Sequence, residues 1–294
     1  MEIVITMAGL GTRFLQAGYK EPKYRIKALG KTLFEWSMDS LAAFRRPGDR
    51  YTFIVRREDQ ASDFISGMAN ELGIAKAQVL ELSEPTDGQA TTALLASSLW
   101  NRDDELYIYN IDTYVEPFSM TPGEIHGDGF IPCFSAPGEH WSFVRLSKDQ
   151  DLLSQAVEVR EKKRISEHCT LGAYYFRSCG LYEQLYNEYY GSRPKTRGRA
   201  DRVPEPGSRC ETLDCGETNG GDSYAQACSS ARSEIDSRAD DSRSEAERRE
   251  RYIAPLYDYM IQKGMEVYIS SVPEEKVHVL GTPEELDAFI RRVQ

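Results

Sequence analysis

Gly9, Gly11, Thr12 and Arg13 follow directly on an apolar run, Ile3-Val4-Ile5-Thr6-Met7, and Lys20 and Lys23 come soon after. A strand that feeds a glycine-bearing turn is a place where backbone amides meet phosphate. Glycine lets the main chain approach an anion closely, and Arg13 and Lys23 add side-chain cations. From Arg13 to Lys31 there are six basic residues (Arg13, Lys20, Lys23, Arg25, Lys27 and Lys31) against one acid, Glu21, in a chain of net charge −11. That local excess calls for an anionic ligand. Farther on, Asp112 ends an apolar run and suits a hard cation, although Asp is also common in turns. Glu161-Lys162 sits in a charged stretch that could serve equally as a solvated edge strand. His140 and Trp141 are pocket candidates with a core reading beside it, and Glu124, His126 and His278 are too isolated to count as metal ligands.

These residues need elements to hold them. Residues 2–7 read as a strand, 32–45 as an amphipathic helix, 51–55 as a second strand and 60–72 as a helix closed by Gly73. A third strand at 79–82 leads into Thr86-Asp87-Gly88-Gln89 and a helix over 90–100. A fourth, 106–111, ends at Asp112. Strands alternating with helices predict a mostly parallel sheet covered on both faces, with ligands outside the carboxyl ends of its strands. The first turn, Gly88 and Asp112 all fall at such ends. Beyond residue 128 the pattern is rich in strands: 129–134 and 141–146 joined by a turn at Pro137-Gly138, then 156–162 and 170–176. A helix follows at 181–190. After a change of composition there is a helical stretch at 245–264, with Pro255 marking a kink or a later start, then strands at 266–269 and 276–280. A last helix is capped by Thr282, Pro283 and Glu285 in a capping-box arrangement.

Residues 192–239 differ in kind, being rich in Arg, Ser, Gly, Glu and Asp and poor in large aliphatics. Such a segment buries too little apolar surface to offset its ordering entropy, so a disordered or foreign insertion is expected. The rest reads as one domain, 1–191 with 240–294. Its nucleotide-binding half is 1–115, and its acceptor half is 116–191 plus 240–294. With 294 residues, 40% of them hydrophobic and 11% aromatic, the chain has ample material for a core. The acidic balance argues against nucleic acid or an anionic membrane surface as partner, and no apolar stretch is long enough to span a bilayer. Six cysteines without a CxxC pair suggest neither a zinc knuckle nor a redox couple. A cytoplasmic protein is expected, as a monomer or a homo-oligomer.

Ala8-Gly9-Leu10-Gly11-Thr12-Arg13, then Pro22-Lys23 and Gly30-Lys31, resembles the opening of the nucleotidyltransferases that activate sugar phosphates and related metabolites. Gly88-Gln89-Ala90, Asp112, Glu161-Lys162 and Gly281-Thr282-Pro283-Glu284 follow in the order that family shows. The resemblance covers nearly everything outside 192–239. It implies a Rossmann-like α/β/α sandwich, Mg²⁺ as cofactor, a nucleoside triphosphate and a phosphorylated small-molecule acceptor, with pyrophosphate released. By resemblance, Ala8 and Gly9 would meet base or ribose through the backbone, with Gly88 and Gln89 near the base. Gly11, Thr12 and Arg13 would hold the phosphates, Lys23 would lie over the α-phosphate, and Asp112 would hold the metal. Glu161, Lys162, Gly172 and Trp141 would face the acceptor.

Two positions depart from the family. Where many members carry a second metal-binding Asp, two residues before the late Gly-Thr, this chain has Val279. On the strand where sugar-activating members often have a small glycine, Ser142 follows Trp141; this bulkier wall disfavours a hexose 1-phosphate and points instead to another phosphorylated alcohol, an amino acid derivative or a polyol of capsule or envelope synthesis. A glycosyltransferase of related fold, or a nucleotide-binding homologue without turnover, are the alternatives. The first would normally show two acids where Asn110-Ile111-Asp112 offers one.

Overall fold

The computed structural model describes residues 1–148, 154–191 and 250–293; the segment expected to be disordered, 192–239, lies outside them. In chain order the elements begin β1 (Glu2–Thr6), α1 (Thr12–Gln16), β2 (Lys27–Ala28), β3 (Lys31–Thr32), α2 (Leu33–Asp39), β4 (Arg50–Arg56), α3 (Ser62–Glu71) and β5 (Ala77–Leu82). Next come α4 (Gln89–Leu94), β6 (Leu106–Asn110), β7 (Thr113–Val115), β8 (Gly129–Ser135), β9 (Ser142–Leu146), β10 (Ala156–Glu161), β11 (His168–Thr170) and β12 (Ala173–Phe176). The chain ends with α5 (Cys179–Tyr190), α6 (Ala254–Gln262), β13 (Val267–Ser271), β14 (Val277–Val279) and α7 (Pro283–Val293). Residues up to 191 and from 251 onward belong to one compact unit. Among the described residues no helix is long and apolar enough to cross a membrane.

The expected parallel core is present. β5, β4, β1 and β6 lie side by side, all parallel, with Thr6 opposite Ile54 on one side and Asn110 on the other. β1 leads out to β4 and β5, and the chain then crosses back so that β6 pairs on the other flank of β1. This is the point where strand order reverses and a crevice opens at the carboxyl ends. Buried side chains of α2 and α3 cover one face of the sheet; α4, α5 and α6 cover the other.

The second half of the sheet is mainly antiparallel. β12 pairs antiparallel with β6 and β8, while β11, β9 and β10 extend the sheet in the same manner and β13 runs parallel to β8. Connections of a few residues cannot make the crossover that parallel neighbours need. The stretches 129–134 and 141–146 are both strands, but β11 lies between them, so the turn at Pro137-Gly138 does not join neighbours. Alternation marks strands without naming their partners. β11 and β12 both run along β8, broken at Leu171-Gly172, where Gly172 has a φ of 78°. A short helix, α1, forms within the first loop, and Pro255 marks the start of α6 rather than a kink.

A satellite core ties the first loop to the chain terminus. Phe14 of α1, Leu33 of α2, Tyr114, Leu280, and Leu286 and Phe289 of α7 bury one another. Each such side chain contributes roughly 1.5–3 kcal/mol by leaving water. His278 stacks on Tyr114 at 5.3 Å between ring centres and also packs on Phe289. Burial first, and then the Arg292 guanidinium, lower its pKa below the ordinary 6.5, against a smaller opposing pull from Glu116. The unfolded chain therefore binds this proton more readily, and stability should fall as pH drops below about 6.5. Melting temperatures at pH 7.5 and 5.5 should differ less in a His278→Phe variant than in the wild type.

Candidate active site

β1 is apolar and buried because it is central, and its end places Met7 to Gly11 over the switch point. The Met7 amide still bonds to Ile54 O, so the loop leaves the sheet only after that residue. Gly11 then takes φ 60°, a left-handed conformation at the start of α1 that glycine adopts without a Cβ penalty. Phe14 anchors the short helix in the satellite core, while Thr12 and Arg13 stay exposed. Gly9, Gly11, Lys20, Pro22 and Lys23 line a cleft of about 190 Å³ whose far wall carries Arg56 and Asp59. Ala8 lies behind that loop, packed against the core.

Lys23, which lines this cleft, also reaches Asp112 at the end of β6. Its ammonium donates to Asp112 Oδ2 at 2.7 Å, although the residues are 89 apart in sequence. The parallel register of β1 with β6 makes the meeting possible. Burial would raise the pKa of Asp112, but the charge and hydrogen bond of Lys23, with help from Arg13, outweigh it and hold the carboxyl below its ordinary value. Asp112 is therefore an anion, flanked by two cations, at the strand end. Its side chain keeps 32% exposure and Lys23 keeps 14%, so both remain partly open to solvent. An ionised carboxylate here fits a hard divalent cation. No group of three or more His, Cys, Asp or Glu stands together among the described residues, so phosphate and water oxygens would have to complete such a shell.

Gly88-Gln89, the second element the sequence assigns to a nucleotide, sits at the start of α4. Gln89 Nε2 donates to Thr6 Oγ1 at 3.1 Å, which joins this loop to the end of β1. Gly88 has φ 142°, and a β-carbon there would lie 2.5 Å from Arg251 O and 2.6 Å from Arg251 N. Arg251 is held on both sides of this loop: its N–H donates to Asp87 O, its O accepts from the Ala90 N–H, and its guanidinium pairs with Asp87 at 3.0 Å. Gly88→Ala should displace that contact and adopt a conformation reserved for glycine. The expected cost is about 2 kcal/mol, read as a melting point lowered by roughly 5 °C.

The acceptor candidates gather at β9 and β10. Glu161 is buried and accepts a hydrogen bond from the Ser142 hydroxyl. Lys162 has φ 51°, its backbone N–H donates to Trp141 O at 2.9 Å, and its ammonium donates to Tyr252 OH at 2.7 Å. Trp141 is half-buried, its indole N–H spent on Pro137 O. Gly172 lies against the side chain of Asn110, and its carbonyl accepts the Asn110 backbone N–H. Asn110 Oδ1 is buried without a partner, two residues before Asp112.

Four of these residues escape sequence reasoning. Arg251 and Tyr252 are adjacent, one on the Gly88 loop and the other on Lys162, so this dipeptide couples the two clusters. Nothing local in the sequence marks them. Thr6 looks like one more strand residue, and Asn110 stands in the sequence only where a second acid is missing.

No family profile matches the chain, and no curated protein does. Among solved structures, the nucleoside-diphosphate-sugar pyrophosphorylase of Vibrio cholerae RC9 is similar at 30% identity, covering 98% of this chain and 99% of that one, with a TM-score of 0.73. The inositol-1-phosphate CTP transferase of T. maritima shares the fold at 12% identity, with 99% and 94% coverage and a TM-score of 0.66. So does a Bacillus anthracis protein assigned as a glucose-1-phosphate thymidylyltransferase, at 13% identity, 99% and 95% coverage and a TM-score of 0.64. Identity of 30% along nearly the whole of both chains places this one in a family: it belongs to the sugar-phosphate nucleotidyltransferases.

Proposed function

We propose that the chain transfers a nucleoside monophosphate from a nucleoside triphosphate to a phosphorylated acceptor, a sugar phosphate or a related phosphorylated polyol, and releases pyrophosphate. The observation that carries this reading is the Lys23–Asp112 pair at the switch point, beside the Gly9–Arg13 loop. An acceptor phosphate oxygen forms a bond to the α-phosphorus while the bond from that phosphorus to the α,β-bridging oxygen breaks. The electron pair leaves with pyrophosphate, so no covalent enzyme intermediate and no Ser, Cys or His nucleophile are needed.

Attacker and electrophile are both anionic, so charge neutralisation and alignment are the main tasks. Lys23 is placed to shift from Asp112 onto the α-phosphate oxygens, where charge develops. Arg13, exposed at the mouth of the loop, suits the β- and γ-phosphates. Lys162 suits the acceptor phosphate, with Glu161 and Trp141 shaping that side. Mg²⁺ would be held by Asp112 and would supply charge neutralisation at the phosphates.

Pyrophosphate release, measured over a matrix of CTP, UTP, dTTP, ATP and GTP against hexose 1-phosphates and phosphorylated polyols, tests the reading. Release should require a triphosphate and an acceptor together. Release with triphosphate alone, or none with any pair, would overturn it.

A further inference from the structure

Val279, where the family often has an acid, occupies a strand position opposite Thr113, and the next amide, Leu280 N–H, donates to Asp112 O at 2.7 Å. The strand thus delivers Gly281 to the edge of the Asp112 carboxylate without contributing a charge. A carboxylate arrives from the following helix instead. Glu285 lies in the first turn of α7, whose position is set by Leu286 and Phe289 in the satellite core. Its backbone N–H donates to Thr282 Oγ1 at 3.2 Å, the forward bond of the expected capping box. Its side chain does not complete that box with both oxygens: Glu285 Oε2 is buried and has no hydrogen-bond partner.

The direction of that orphaned oxygen is informative. A β-carbon added to Gly281 would lie 3.3 Å from Glu285 Oε2 and 3.6 Å from Asp112 Oδ2. Two carboxylate oxygens from different elements therefore flank one methyl-sized space, kept open by the bare α-carbon of a glycine. A buried carboxylate oxygen with no donor favours a cation, and a hard divalent cation takes oxygen ligands, one or two carboxylates sufficing when phosphates and water supply the rest. On the reading that a divalent cation accompanies the triphosphate, we propose that Glu285 is the second acidic group of that cation's site. It acts with Asp112 across the space beside Gly281, in place of an acid at Val279. Asp112 and Glu285 then bring two carboxylates from two different elements to one cation.

Binding of Mn²⁺ to the full-length chain, followed by the loss of its free-ion EPR signal with and without inorganic triphosphate, tests this independently of turnover. Glu285→Gln keeps the shape of the side chain and should weaken Mn²⁺ binding by roughly 10-fold or more. Gly281→Ala, which fills the space with a methyl group at a backbone position without positive φ, should weaken it too. Adding Val279→Asp to Glu285→Gln should restore binding, a rescue that a merely structural helix cap would not give. If Glu285→Gln binds Mn²⁺ as the wild type does while Asp112→Asn loses it, the role of Glu285 is overturned and the cation reading stands. If neither variant changes Mn²⁺ binding, the cation reading itself fails.

Discussion

Lys23→Ala is expected to lower kcat for nucleotidyl transfer by about two to three orders of magnitude, the usual effect of removing one preorganised donor at a developing oxyanion. The fold should change little. Lys23 is the main cationic neighbour of Asp112, but that carboxylate keeps 32% exposure and also feels Arg13. Water can take over from the ammonium, so the stability change should stay within about 1 kcal/mol. With Lys23 in its proposed role, acting mainly where charge develops, KM for the triphosphate should rise far less than kcat falls. Lys23→Arg should recover only part of the rate, since a planar fork does not reproduce a compact point charge. Steady-state kinetics with urea melts on the same preparations separate the two effects. A kcat within a factor of three of wild type would remove Lys23 from the reaction.

Asp112→Asn should have an effect of similar size with a different signature. The change keeps the shape and abolishes the charge, so the Mg²⁺ concentration needed for half-maximal rate should rise by at least roughly 10-fold, with kcat down by about two orders of magnitude even at saturating metal. The sign of the pH dependence follows from the lowered pKa. Asp112 contributes stability that is present above its ordinary value of 3.8 and lost as pH falls through the lower folded value. From pH 5 to 8 it stays ionised, so wild type and variant should differ by a constant factor over that window. A ratio that closed toward pH 5 would mean that another group supplies the charge.

The central parallel sheet and its loops were legible because their signals are local. An apolar run followed by glycine fixes where β1 stops, and Gly73 and Thr32 punctuate the flanking helices as their types predict. Asp112 was legible as a residue at a strand end. Its partner was not, because the Lys23 contact depends on β6 lying beside β1, a long-range pairing that no window of sequence contains. The second half of the sheet shows the same limit, since β11 separates two strands that look like a hairpin. Arg251 and Tyr252 act through where the chain returns to the Gly88 loop. Glu285 has two valid local readings: the spacing from Thr282 marks a cap, and only Gly281 and Asp112, brought together by the β7–β14 pair, show what else its carboxylate faces.

In the proposed reaction the α-phosphorus of a triphosphate moves to an acceptor phosphate. Triphosphate labelled with ³²P at the α position, and separately at the γ position, tests it directly once an active pair is found by pyrophosphate release. The α label should join the acceptor in a nucleoside-diphosphate product while the γ label leaves in pyrophosphate. A γ label on the acceptor, or an α label left in free nucleoside mono- or diphosphate, would contradict it.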